Sequence, residues 1–409
     1  MGLDPKRRPP SATPWALDSG VPRDAELAKR GGRVPTPPAT RRSLPASETG
    51  RTRPSMPKVA PRPTPLIDSL IQAGSDRPSS RPPPSSPGQR PVNVTPARIP
   101  SAAGRLADLA RLGEQLAGEV IESRYRVESP IGQGASGFVF QASDLQRGQP
   151  VALKLYDRER VDSDAAQEAF VDELERLNRV PTPHIVRTLG VGFSHDLVPF
   201  IRPSDPLLGP VPFVAMELLV GHDLRAQLHK HGPLSAAEVL AHLTAVGDAL
   251  DLAHAAGFVH RDLKPGNLFV TTQGPQPSVK VLDFGRSHSS VKGFFGTAWY
   301  MAPEQAQAEA VTGAADRWAL AVVAFRLLTG ESYWAPAPMP DLLAAIVAGP
   351  RVPPSEVAVA RGARANVALG AGFDAWFFLA CQVDPAARFA TCREQVIALG
   401  LALAEDARS

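Results

Sequence analysis

Apolar residues keep a helical or strand-like spacing along the chain after residue 100, and almost no periodicity before it. From Ala102 to Ile121 the steps are three and four residues, with Leu106, Leu109, Leu112, Leu116 and Val120 on one side, which predicts an amphipathic helix. Strand-like alternation begins at Arg124-Tyr125-Arg126-Val127, and buried strands are predicted for Val151 to Lys154 and Phe213 to Leu218. Between those two strands a helix is expected to start at Asp162-Ser163, good capping residues, with Phe170, Leu174 and Leu177 as its apolar stripe. A longer helix is expected from Ser235 to Gly257, where Ser235 and Glu238 make a capping pair and a glycine closes a mostly apolar run. Short strands at Leu268-Phe269-Val270 and Val279 to Leu282, then an apolar helix from about Asp316 to Leu328, complete the pattern.

Composition separates the first hundred residues from the rest. They hold 22 of the 43 prolines and carry 17 Lys and Arg against 7 Asp and Glu, so the net charge of +3 hides a basic arm on a mildly acidic body. Such a segment buries too little apolar surface to offset the entropy of ordering, and residues 1–100 are expected to be a disordered Pro/Arg/Ser-rich arm. It reads either as a docking segment for acidic surfaces or proline-binding partners, or as a solvated linker. No specific nucleic-acid binding is predicted. The start lacks the apolar core of a signal peptide, and no run of 18 apolar residues occurs, so no transmembrane segment is expected. Two cysteines, Cys381 and Cys392, fit reduced thiols in a cytoplasmic protein better than a disulfide scaffold.

The polar residues that interrupt the apolar pattern suggest a reaction. Glycines at 132, 134 and 137 lie between two strand segments, where backbone amides could close over phosphates, although a glycine pattern alone is a weak signal. Lys154 lies in a buried apolar strand, where an unpaired ammonium would be costly, so it needs anionic partners. On the next helix Glu168, Glu173 and Glu175 compete for that role. Downstream come His260-Arg261-Asp262-Leu263-Lys264-Pro265-Gly266-Asn267, then Asp283-Phe284-Gly285, then Ala302-Pro303-Glu304. Phosphoryl transfer from ATP to a hydroxyl needs a carboxylate to orient the attacking oxygen and oxygen ligands for a divalent cation, and these segments contain both.

With these motifs the chain resembles the eukaryotic-type serine/threonine protein kinases, and more narrowly their bacterial branch. The resemblance implies an α+β bilobal fold, with a helical linker at 101–122, a β-rich small lobe at 123–217, a helical large lobe at 218–400 and a tail at 401–409. It implies ATP with Mg2+, or Mn2+, as cofactors and protein serine or threonine hydroxyls as acceptors. Asp262 would orient the hydroxyl, Lys264 would stabilise the transferring phosphoryl group, and Thr297 would hydrogen-bond to both. Asn267 and Asp283 would hold the metal, and Glu173 becomes the partner of Lys154. The nucleotide would lie among Ile131, Gly132, Gly134, Gly137, Val139 and Ala152. Met216 would be the gatekeeper, Glu217 and Leu218 would offer backbone groups to adenine, and Phe269 would form the floor. Asp223 would cap a helix or reach the ribose. Glu304 would pair with Arg388, and Asp316 would anchor the catalytic loop. Arg261 would receive an activating phosphate, for which Ser289 or Ser290 is the candidate acceptor, Gly293 having replaced one usual position. The 194–212 connection, rich in proline, has no readable role. A pseudokinase scaffold and a small-molecule phosphotransferase of similar fold are the alternatives.

Overall fold

The chain is described by a computed structural model that covers residues 102–133, 137–156, 161, 163–201, 209–284 and 298–408. Its first helix, α1 (Ala102–Leu116), ends sooner than the apolar spacing predicts. Gly118 takes φ 82° and turns the chain back, its N–H donating to the Val127 carbonyl at 2.8 Å. Val120 and Ile121 therefore form a short strand, β1, antiparallel to Arg126 and Tyr125.

Alternation then builds a six-stranded antiparallel sheet from β1, β2 (Tyr125–Gln133), β3 (Gly137–Asp144), β4 (Gln149–Tyr156), β5 (Thr188–Ser194) and β6 (Val211–Glu217), in the order β1-β2-β3-β4-β6-β5. Period-two spacing sorts its side chains onto two faces. Val127, Phe140, Leu153, Leu155 and Phe213 are buried on the outer face, where Leu112 and Leu116 of α1 join them in one apolar cluster. Residues from the 194–212 connection join the same cluster through Leu197 and Ile201, the latter ending the short helix α3 (Val198–Ile201), numbered after α2 (Asp164–Asn178). Both segments that looked like connections thus complete the core of the small lobe. On the inner face, α2 lays Phe170 and Leu174 against Tyr156, Val161 and Val214. Its N-cap is Ser163, which accepts from the Ala166 N–H; Asp162 lies outside the described residues.

The larger lobe begins with β7 (Gly221–Asp223) and α4 (Leu224–His231). α5 (Ala236–Ala255) follows, with the reciprocal Ser235/Glu238 cap expected from the sequence. Strands β8 (Leu268–Thr271) and β9 (Ser278–Val281) add to β7 as a small antiparallel sheet. After α6 (Pro303–Ala306), α7 (Gly313–Thr329) runs through the centre, buried from Trp318 to Phe325 and stopped by left-handed Gly330. The helices α8 (Met339–Ala348), α9 (Pro354–Ala360), α10 (Ala371–Ala380) and α11 (Cys392–Asp406) finish the lobe. Residues 401–406 are not a tail. The Asp406 carboxylate accepts from the amides of Gly370, Gly372 and Phe373 at 2.8, 2.9 and 3.0 Å, tying the last helix to the start of α10.

Candidate active site

Pleating decides which residues of the small sheet look into the cleft. Val139 is paired with Lys154, Lys154 with Val214, and Ala152 with Met216, so these residues share the inner face. Lys154 is 2% exposed, and its Nζ lies 2.6 Å from Asp283 Oδ1 in the large lobe and over the ring of Tyr156. Glu173 is half-buried on the α2 face that carries Phe170 and Leu177, whereas Glu168 and Glu175 are exposed and Glu175 faces Arg179 at 3.5 Å. Ile131 is exposed at the sheet rim, and Gly132 pairs with Val139. Gly137, at φ 153°, must be glycine, since a Cβ there would collide with the Leu155 carbonyl oxygen. Gly134 lies outside the described residues.

At the edge of β6, Glu217 donates its N–H to Arg187 O at 3.0 Å, and its carboxylate accepts from Lys280 at 2.7 Å. The Leu218 carbonyl accepts from Gln273 Nε2 at 3.1 Å. Asp223 is the N-cap of α4, its Oδ1 accepting from the Ala226 N–H at 2.7 Å. Phe269, on β8 opposite Lys280 and Asp223, is half-buried.

The loop between α5 and β8 is held from below. Asp316 accepts from the backbone N–H of His260 and of Arg261, both at 2.8 Å, and from His254 Nε2 at 2.7 Å. Burial pushes the Asp316 carboxyl up, but the His254 hydrogen bond and the amides outweigh it and hold the group below the usual carboxylate range. The anchored amides fix Arg261 at φ 67°, a conformation that costs a non-glycine residue energy. His260 is fully buried; Nε2 donates to the Leu282 carbonyl at 2.8 Å and Nδ1 accepts from the Asp262 N–H at 3.2 Å, so both ring nitrogens serve the backbone. Its ring also meets Phe284 edge-on at 4.8 Å, which packs the segment after Asp283 against the loop.

Asp262 is thereby aimed into the cleft. Its Oδ2 accepts from Lys264 Nζ at 2.6 Å and Asn267 Nδ2 at 3.1 Å, while Oδ1 meets no donor among the described residues. Asn267 Nδ2 also donates to the Asp262 carbonyl at 2.8 Å, which turns the amide oxygen away as an acceptor. Asp283, at φ 58°, is 31% exposed; burial raises its carboxyl, but the charge and hydrogen bond of Lys154 prevail and keep it low. An ionised carboxylate and a neutral amide oxygen are hard donors of the kind that Mg2+ and Mn2+ take, so the residues present fit a divalent cation.

Below the cleft, Arg388 holds Glu304 through two bonds of 2.7 and 2.8 Å, with Nη1 also donating to Ala314 O at 2.8 Å. Thr297 and the candidate acceptors Ser289 and Ser290 lie outside the described residues.

The profile of the family described as "Protein kinase domain" matches residues 125–348, more than half of the chain. The chain belongs to the protein kinase family. Among curated proteins the chain is 33% identical over 295 residues to the serine/threonine-protein kinase Pkn1 of Myxococcus xanthus, covering 69% of the chain and 39% of Pkn1. It is 32% identical over 221 residues to PknA of Mycobacterium tuberculosis, covering 52% of the chain and 48% of PknA. The chain therefore spans less than half the length of either relative. Among solved structures, the Mycobacterium tuberculosis PknI kinase domain superposes with a TM-score of 0.52 and 27% identity, over 70% of the chain and 99% of that domain. Use of ATP with a divalent metal is general in the family.

Four contacts of the site had no sequence signal. Gln305 Nε2 donates to the Arg261 carbonyl at 2.8 Å, and Gln273 and Lys280 brace the strand edge that precedes β7. His254, one of nine scattered histidines, could be assigned to Asp316 only once α5 and α7 were packed together.

Proposed function

We propose that the chain is an ATP-dependent serine/threonine protein kinase, acting on protein hydroxyls and on itself, in the bacterial cytoplasm. The observation that carries this is the convergence of two charged groups across one cleft, Lys154 with Asp283 and Asp262 with Lys264 and Asn267. In this reading the hydroxyl oxygen of a serine or threonine attacks the γ-phosphorus. The bond to the β,γ-bridging oxygen breaks and ADP leaves with its electron pair. Asp262 Oδ1 takes the hydroxyl proton, since Oδ2 already accepts from Lys264 and Asn267. Lys264 offsets charge on the phosphoryl group, and Thr297 steadies Asp262. Lys154, oriented by Glu173, holds the α- and β-phosphates when the nucleotide displaces it from Asp283.

Asn267 Oδ1 and Asp283 would hold Mg2+, or Mn2+, which supplies neutralisation of charge on the phosphate oxygens. Val139, Ala152 and Met216 on the inner face, with Ile131 above and Phe269 below, suit the adenine, and Glu217 and Leu218 offer it backbone groups. Gly132, Gly134 and Gly137 let the loop approach the phosphates, and Asp223 is in reach of the ribose. Arg261, beside Asp262, would pair with phosphate on Ser289 or Ser290. Both described thiols, Cys381 and Cys392, are free and buried, and no described helix is long and apolar enough to cross a membrane. The test is transfer of radiolabelled γ-phosphate to matched serine, threonine and tyrosine peptides with magnesium. Label on serine and threonine, absent with Asp262→Asn, is expected; label on tyrosine or on small hydroxyl compounds alone would overturn the reading.

A further inference from the structure

Pro130 is the last residue before the glycine-rich segment, and the sheet itself holds it weakly. Proline has no N–H to give the ladder, and the β2–β3 pairing is irregular on both sides of it, between Val127 and Ser129 and between Pro130 and Gly132. What meets Pro130 from outside is α1. Gly113 is buried against it so closely that a Cβ at 113 would stand 2.7 Å from Pro130 Cγ and 3.0 Å from Cδ. One residue earlier and three residues later on the same helix, Leu112 and Leu116 are each 1% exposed in the outer-face cluster. The helix is thus seated in the core at two points and touches the strand at a third, directly before Ile131 and Gly132.

We propose that α1 is a strut for the nucleotide-covering loop, and that Gly113, acting through Pro130, is a positioning residue that sets nucleotide affinity without touching the nucleotide. The inference rests on the nucleotide-binding reading of the glycine-rich segment. Backbone amides that close over phosphates tolerate little displacement, because an N–H···O bond weakens steeply beyond about 3.2 Å and below about 120°. A side chain at 113 must push Pro130 or lift the helix, and either shift passes along two peptide bonds to Gly132.

The experiment uses the full chain and a fluorescent ADP analogue with magnesium, reading dissociation constants well below the melting temperature, together with KM for ATP and kcat on a peptide. Gly113→Ala should weaken ADP binding and raise KM by about threefold to tenfold, with kcat at saturating ATP within about twofold; tenfold corresponds to about 1.4 kcal/mol. Gly113→Val should do more. Pro130→Ala removes the atoms that a new Cβ meets, so adding it to Gly113→Ala should restore affinity to that of Pro130→Ala alone, a coupling that loss of helix stability would not produce. Equal affinity in the wild type, Gly113→Ala and Gly113→Val would overturn the strut. So would a fall in kcat matching the rise in KM, or a double variant no better than Gly113→Ala. A wild type that neither binds ADP nor transfers phosphate would remove the nucleotide-binding reading itself, and the strut with it.

Discussion

Lys154 Nζ lies 2.6 Å from Asp283 Oδ1, so the buried cation of the small lobe and a half-buried acid of the large lobe are joined directly across the cleft. Each is placed by its own lobe: Lys154 by the β4 ladder, Asp283 by the turn after β9. Two groups with independent supports, meeting where phosphates and metal would lie, should both be needed for transfer. Lys154→Met and Asp283→Asn are each expected to lower peptide phosphorylation by about 10² to 10³, the scale for losing one preorganised charge-stabilising group. Radiometric assay alongside thermal melting checks that the fold survives.

Asp262 should show a different kinetic signature. Because the proposed mechanism assigns Asp262 to the hydroxyl rather than to the nucleotide, Asp262→Asn is expected to lower kcat by about 10² to 10⁴, the range for a positioned proton acceptor, with KM for ATP nearly unchanged. A rise in KM for ATP as large as the loss in kcat would assign Asp262 to nucleotide binding instead.

Acid sensitivity should trace in part to Asp316. Its carboxyl is held below its ordinary value of 3.8 in the folded chain, so at mildly acidic pH the unfolded chain binds the proton more readily. The resulting stability is complete above about pH 4 and is lost as pH falls through the lowered value. Asp316→Asn should melt lower than the wild type at pH 7, and the gap should narrow below about pH 4. Melting curves from pH 7 to pH 3 measure it; a constant gap would show that Asp316 stabilises without titrating.

The Glu304–Arg388 pair is buried, with side chains 3% and 0% exposed. Removing one partner leaves a charge in the core, so Glu304→Ala or Arg388→Ala should each destabilise by about 3–5 kcal/mol in urea unfolding. Replacing both, as Glu304→Gln with Arg388→Met, should cost less than either single change predicts, because no ion remains unpaired.

The first hundred residues should be dispensable for chemistry, and α1 should not be. A chain starting at residue 102 is expected to retain peptide phosphorylation. One starting at residue 118 exposes the outer face where Leu112 and Leu116 sit, at about 1.5–3 kcal/mol for each leucine removed, and should melt lower and be cleaved faster by trypsin.

Much of the site could be read from the sequence because its residues come in short local runs. Asp262, Lys264 and Asn267 lie on one loop and bond to one another within six residues, although Asp316 holds that loop in place from outside. Helix α5 was legible for a similar reason, since Ser235 and Glu238 cap it within one turn. What escaped was set by contacts between distant segments. Val120 continues the spacing of α1, yet Gly118 and the Val127 carbonyl turn it into a strand. Leu197 and Ile201 sit in a proline-rich stretch with no period, and only the open outer face of the sheet gives them a place to bury. Asp406 looks like a residue of a loose end until the amides of Gly370, Gly372 and Phe373 are brought to it.

Arg261 and Asp283 both hold left-handed backbone without being glycine, at φ 67° and 58°. Such residues cost roughly 1–3 kcal/mol each and persist only where the surroundings enforce them, here through Asp316 on one side and Lys154 on the other. The two positions should nevertheless answer heat selection differently. A library sorted for heat resistance alone should drift toward glycine or asparagine at 261, whereas at 283 the buried Lys154 ammonium should keep the carboxylate in place in spite of the strain.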